Sequence, residues 1–214
     1  MPKQHLAEVF GFPIDNLSPE AMRFKLNRLC PFNNRAPSCT KTSIKNPLGV
    51  WSVLDARGVT ITCPVRFRQD WLILPDAAKL FFSPGTRWTS LTEIRVADEL
   101  GARAGNIDLV LVSYDEDGQV TGFGGVEVQA VYISGNVRAP FEHYVADPEG
   151  AADMDWTGRP NYPRPDYLSS TRKRLAPQLV YTGGILNGWG KKLSVVVNGA
   201  LTTRRSPLCL RSHP

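Results

Sequence analysis

The sequence predicts an α/β fold, and three observations carry that prediction. Ile107-Asp108-Leu109-Val110-Leu111-Val112-Ser113-Tyr114 reads as a nearly continuous apolar strand. Asp115-Glu116-Asp117-Gly118-Gln119 turns the chain into a second strand region, Val120 to Tyr132. Residues 171–190 then read as a helix, with Leu175, Leu179 and Ile185 as its apolar positions, followed by the strand Leu193-Ser194-Val195-Val196-Val197. Strand, helix and strand in succession are the pattern of a sheet crossed by helices.

Earlier elements follow from local signals. Ser18-Pro19-Glu20 supplies an N-cap and a first-turn proline for a helix running from Ala21 to Leu29, with Met22, Leu26 and Leu29 expected on one apolar face. Residues 30–68 are loop-rich. Val50-Trp51-Ser52-Val53-Leu54 and Val59-Thr60-Ile61-Thr62 are short strands around Asp55-Ala56-Arg57-Gly58, which suggests a hairpin. Leu80-Phe81-Phe82 suits strand or helix. Gly124-Gly125 is expected to mark a bulge or bend. Residues 136–170 are rich in Pro, Asp and Tyr, lack periodicity, and read as a long irregular insertion. The expected division is 1–68, an N-terminal helix and Cys-rich region; 69–197, a core; and 198–214, a patternless tail.

The chain has 214 residues, 42% hydrophobic and 21% charged. That is one domain, or one with a small appendage, and it excludes fibrous and disordered classes. Nothing approaches 18 consecutive apolar residues, so no membrane span is expected, and the start lacks a signal-peptide pattern. A cytoplasmic location is the corresponding expectation. The net charge of +5 conceals a pattern. Residues 1–68 hold ten Lys/Arg against four Asp/Glu, residues 69–171 hold seven against sixteen, and residues 172–214 hold eight against none. Basic ends suit a polyanion and an acidic middle suits divalent metal, although scattered solvated charge gives the same counts.

Two carboxylates stand out. Asp108 and Glu127 each sit in an apolar strand, where an ionised carboxylate is costly unless it is paired or binds a metal. Strands joined by a tight turn bring the two together, and a divalent cation resolves their repulsion. Glu127 and Gln129 are two apart and face the same side. Asp, then a hairpin, then Glu-x-Gln resembles the PD-(D/E)xK nuclease motif, with Gln129 where lysine is usual. In that motif the acids bind Mg²⁺. Glu93 is a candidate third carboxylate. The alternative is three carboxylates solvated at the surface.

Cys30, Cys39 and Cys63 each lie beside a proline or turn residue. Loop thiols suit a structural Zn²⁺ or iron site. They also suit plain burial as free cysteines. A structural site wants four ligands. Cys209 is remote, and His5 is a possible filler.

Leu29-Cys30-Pro31-Phe32, Ser38-Cys39-Thr40-Lys41, Gly49-Val50-Trp51-Ser52-Val53 and Cys63-Pro64-Val65-Arg66 look like the metal-binding region of NotI-type restriction endonucleases. Asp108 followed by Val126-Glu127-Val128-Gln129 resembles their catalytic D…ExQ, and Glu93 falls where that family carries a further acid. The likeness spans about residues 28–197. It implies a restriction-endonuclease-like PD-(D/E)xK core with a mixed sheet. It further implies catalysis by Asp108, Glu127, Gln129 and Glu93, with Mg²⁺ held by Asp108 and Glu127. Structural Fe or Zn would be held by Cys30, Cys39 and Cys63. The implied activity is site-specific double-strand DNA cleavage by a homodimer, with a companion DNA methyltransferase. Two departures are visible: Trp51 stands where the family has a fourth cysteine, and the family continues well past residue 197, so a C-terminally shortened chain with a weakened or absent structural metal is expected. A non-catalytic DNA-binding remnant is the alternative, as is an unrelated α/β domain with structural carboxylates.

Overall fold

The computed structural model describes residues 3, 5–33, 38–43, 45–97, 101, 103–151 and 153–202. Leu6–Val9, where no strand is expected, forms β1, and Phe12–Pro13 forms β2 against it. Helix α1 spans Pro19–Leu26, with the Ser18 hydroxyl accepting from the Ala21 amide at 3.3 Å, as the capping signal predicts. Its buried face is not the predicted one. Leu26 is 68% exposed, whereas Ala21 and Lys25 are buried. The Lys25 stem lies inside because its ammonium finds the Pro13, Ile14 and Asn16 carbonyls at 3.0, 3.4 and 2.7 Å. Burial pushes its pKa down to about 8.

Strands β3 (Val50–Asp55) and β4 (Gly58–Ile61) form the expected hairpin. Asp55 Oδ1 accepts from the Arg57 amide at 2.8 Å, and Gly58 sits at φ 104°, a conformation that favours glycine. These strands complete a four-stranded sheet of order β2-β1-β3-β4.

A 3₁₀ segment, Pro64–Trp71, leads into α2 (Ile73–Phe81). Three antiparallel strands follow: β5 (Trp88–Ala97), β6 (Arg103–Tyr114) and β7 (Val120–Gln129). The turn between β6 and β7 is built as its sequence predicts, with Asp115 Oδ1 accepting from the Asp117 and Gln119 amides. The short strands β8 (Tyr132–Ser134) and β9 (Arg164–Asp166) pair with each other, with α3 (Arg138–Ala146) between them. One turn, α4 (Tyr167–Ser169), and a π-helical turn, Ser170–Leu175, feed α5 (Ala176–Gly188). Strand β10 (Leu193–Val197) then runs parallel to β7, and the start of the stretch expected to be patternless forms a helical turn, α6 (Gly199–Thr202), while its remainder, Cys209 included, lies outside the described residues. The second sheet, of order β10-β7-β6-β5, is therefore mixed. Its parallel pair needs a crossover, and the chain from β8 to α5 supplies it.

Helices cover both faces of this sheet. Leu74 and Ala77 of α2 pack on Leu109, Leu111 and Val126. Leu186 of α5 packs with Ile107, Val110 and Val96 on the other side. Gly124 and Gly125 are not a bulge, since they keep register with Leu111 and Val110. They are glycines because the helices come close: a Cβ on Gly124 would lie 2.6 Å from the Phe81 ring, and one on Gly125 2.8 Å from Leu186. Gly124→Ala is expected to cost about 1–3 kcal/mol by overpacking, read as a lowered midpoint in urea at unchanged slope.

The segment 136–170 is not irregular throughout. Phe141 and Tyr144 of α3, with Ala151, join the core of the first sheet alongside Leu6, Val9, Phe10, Val50, Trp51 and Val53. Tyr144 donates its hydroxyl proton to the Ile14 carbonyl at 2.7 Å. Its apolar residues are spaced for a partner far away in sequence, which no local period reveals. Among the described residues no helix is long and apolar enough to cross a membrane.

Candidate active site

Alternation along β7 sends Val126 toward α2 and Glu127 toward α5. Glu127 pairs in register with Val195 of β10, and Gln129 with Val197. On the neighbouring strand Asp108 reaches across, its Oδ2 accepting from the Val128 amide at 2.8 Å. The expected convergence of Asp108 and Glu127 is thus present at the C-terminal end of β7.

The electrostatics are those of two acids in a confined space. Glu127 is 1% exposed. Burial first, and then the neighbouring Asp108 carboxyl, push its pKa up to about 8. One oxygen, Oε2, accepts from Gln178 Nε2 on α5 at 2.6 Å. The other, Oε1, is buried and meets no hydrogen-bond donor at ordinary geometry among the described residues, although the side chain and backbone of Asp108 lie close enough to act on the carboxyl. A buried carboxylate oxygen without a donor is costly to maintain. A cation removes that cost, and an all-oxygen donor pair suits Mg²⁺, which keeps water and substrate phosphate for its remaining positions. The side chains present therefore fit Mg²⁺.

Gln129 is half-buried beside this pair, and its Nε2 donates to the Ala130 carbonyl. Glu93 lies across from Asp108, between the register pairs Thr92–Leu109 and Ile94–Ile107. It takes a φ of 54°, and its carboxylate, 54% exposed, lies 3.7 Å from Arg68 Nη2. Among the described residues no three His, Cys, Asp or Glu side chains are placed to hold a metal together.

Cys30, Cys39 and Cys63 are all buried in the core of the first sheet. Burial pushes the Cys30 thiol up to about 11. Lys41 enters the same space: its ammonium, held below its ordinary pKa by burial, donates to the Val50 carbonyl and to the carbonyl and hydroxyl of Thr62. Trp51 is 1% exposed and packs edge-on to Phe32 at 5.0 Å. His5 is buried elsewhere in the sheet, stacked on Tyr162 at 5.0 Å. Three thiols and an indole do not fit a tetrahedral structural metal site as they stand.

Gln178 escapes a sequence search for charged or metal-ligating groups. Its signal is positional: Gln178, Thr182, Ile185 and Leu186 follow the i, i+4, i+7, i+8 stripe that faces a core, and glutamine is its one amide.

A mixed four-stranded sheet between helices, with paired carboxylates on its inner strands, is an architecture suited to metal-dependent hydrolysis of phosphodiesters. Residues 8–204 match the family described as restriction endonuclease NotI, and the chain belongs to that family. Membership makes it a DNA-binding protein of the restriction endonuclease class. No curated protein matches it.

Proposed function

We propose that the chain is a Mg²⁺-dependent endonuclease of the PD-(D/E)xK type that hydrolyses both strands of DNA at a specific sequence. The observation that carries this reading is the buried Glu127 carboxyl beside Asp108 with one oxygen unpartnered. Asp108 and Glu127 would hold the cation. Its chemistry there is Lewis-acid polarisation of a phosphate oxygen and neutralisation of developing charge. Asp108 is held in place by the Val128 amide, and Glu127 by Gln178, so both carboxylates are oriented before substrate arrives. Glu93, across the strand from Asp108, would join the site only by leaving Arg68.

Gln129 occupies the lysine place of the motif. A neutral amide orients water or phosphate by hydrogen bonds but supplies no charge. Gln129→Lys is therefore expected to keep more activity than Gln129→Ala in a plasmid-cleavage time course. Equal rates for wild type and both variants would remove Gln129 from the site.

Arg172, Lys173 and Arg174 are exposed on the π-helical turn that leads to Gln178; Arg174 lies over the Tyr132 ring at 4.4 Å, and Arg172 and Lys173 serve this reading best as phosphate contacts. Lys191 lies over the Phe123 ring at 5.1 Å, and Lys192 donates to the Leu80 carbonyl at 3.0 Å, so these two are partly engaged by the protein. A homodimer acting on a palindrome, protected in its host by a companion methyltransferase, completes the proposal.

The indole in the thiol cluster favours a second reading, a DNA-binding remnant that no longer cuts. Purified protein incubated with genomic DNA and Mg²⁺ separates the two. Discrete fragments support the endonuclease. Salt-dependent DNA binding with intact DNA supports the remnant.

A further inference from the structure

The structure assigns Gln178 as the positioning residue that holds Glu127 for a divalent cation. This role rests on the reading of Asp108 and Glu127 as the cation site, and adds a residue from a third element to it. Glu127 comes from β7 and Asp108 from β6; Gln178 comes from α5, 51 residues after Glu127 in the chain, and donates to Glu127 Oε2 at 2.6 Å. A buried carboxyl with one anchored oxygen has a fixed plane. Its other oxygen, Oε1, is then the one left to meet a ligand, and it is the one without a partner among the described residues.

The chemistry of an amide suits this task. Lysine or arginine at 178 would hold Glu127 equally well but would place a positive charge where a cation must bind. A glutamine donates one hydrogen bond and brings no net charge. The backbone beneath it is well braced. Thr182 and Leu186 of the same stripe are buried at 5% and 1% exposure. Leu186 is seated on Gly125, where a Cβ would lie 2.8 Å from its Cδ1. Gly125 is two residues before Glu127 on the same strand and face. The glycine that lets α5 approach the sheet is therefore also what brings Gln178 within reach of Glu127. At the other end of the contact, the π-helical turn Ser170–Leu175 sets the rotation of α5. It is anchored by Ser170 Oγ, which accepts from the Tyr132 amide and donates to the Asp166 carbonyl, both at 2.7 Å. Tyr132 lies three residues beyond Gln129, so the start of the helix and the end of the catalytic strand are fastened to each other.

Partners that orient a metal ligand are commonly worth about 10–100-fold in metal affinity. The test is Mn²⁺ binding to the full chain without DNA, followed by the loss of the free-ion electron paramagnetic resonance signal. Gln178→Met keeps the side chain's length and shape and removes the donor; Gln178→Ala removes both. Both are expected to bind Mn²⁺ at least about tenfold more weakly than wild type while remaining folded at the assay temperature, with a lowered thermal midpoint because Glu127 Oε2 loses its donor. In cleavage assays the Mg²⁺ concentration giving half-maximal rate should rise in parallel, with a smaller change in the rate at saturating Mg²⁺. Wild-type affinity in Gln178→Met would overturn the role of Gln178 while leaving the cation site in place, provided Glu127→Gln still abolishes binding. Mn²⁺ binding that survives Glu127→Gln would remove the site itself, and with it the role of Gln178.

Discussion

Asp108→Asn and Glu127→Gln are each expected to reduce Mg²⁺-dependent DNA cleavage by about 10³-fold or more while leaving DNA binding intact, because each removes one of the two carboxyl groups proposed to hold the cation. Glu127→Gln should also make the metal-free protein more stable, and the sign follows from its pKa. The carboxyl moves from an ordinary 4.5 to about 8 in the fold, with burial the larger cause and Asp108 the second. Below about pH 4.5 the group is protonated in folded and unfolded chains alike and costs nothing. As pH rises toward 8 the unfolded chain releases the proton while the folded chain keeps it, so stability falls across this window and levels off above it. A glutamine has no such loss. The expected result is a thermal midpoint in chelator that is close to wild type at pH 5 and higher by several degrees at pH 8. Asp108→Asn should show a smaller gain, since it removes the neighbouring charge but not the burial. Added Mg²⁺ should narrow the gap by stabilising only the wild type. Full cleavage by either variant would overturn the site assignment, and an unchanged gap between pH 5 and pH 8 would mean that Glu127 is not held protonated.

How far the sequence carries depends on the range of the interaction that decides each element. The Ser18 cap, the Asp55–Gly58 hairpin, the Asp115–Gly118 turn and strands β6, β7 and β10 rest on signals a few residues long, and they form where expected. Asp108 and Glu127 are legible for a related reason: a charge among valines is anomalous whatever lies around it. Contacts between distant segments are not legible. Lys25 replaces Leu26 inside because three carbonyls, one from the end of β2 and two from the connection to α1, surround its ammonium. Helix α3 has no clear period because Phe141 and Tyr144 are fitted to the first sheet, whose strands lie between Leu6 and Ile61. Gly124-Gly125 signals a bulge by local rules, yet answers to the approach of Phe81 and Leu186 from opposite sides. Gln178 belongs with these, since nothing short of the α5 crossover places an amide on Glu127.

Trp51→Cys should change the protein's relation to metal more than any other single substitution, and in opposite directions with and without Zn²⁺. Trp51 is among the largest fully buried side chains and lies in the core that also holds Cys30, Cys39 and Cys63. Shrinking it to cysteine leaves most of an indole's volume unfilled, which costs about 3–5 kcal/mol for a buried tryptophan. For a chain of this length that lowers the thermal midpoint in chelator by about 10 °C. The variant then carries a fourth thiol in the core that already holds Cys30, Cys39 and Cys63. A structural Zn²⁺ contributes on the order of 10 kcal/mol or more to a small metallo-domain, enough to outweigh the cavity. The midpoint with Zn²⁺ should therefore rise above that of wild type, with about one metal per chain by elemental analysis. Recovery should be stronger at pH 8 than at pH 6. Metal must displace thiol protons, and burial holds the Cys30 proton up to about pH 11 when no metal competes. Wild type, already filled by its indole, should hold little metal and lose no stability in chelator. A full complement of Zn or Fe in wild type would show that another group completes the three-thiol set. A Trp51→Cys protein that binds no metal and stays destabilised in Zn²⁺ would show that these three cysteines are plain core residues.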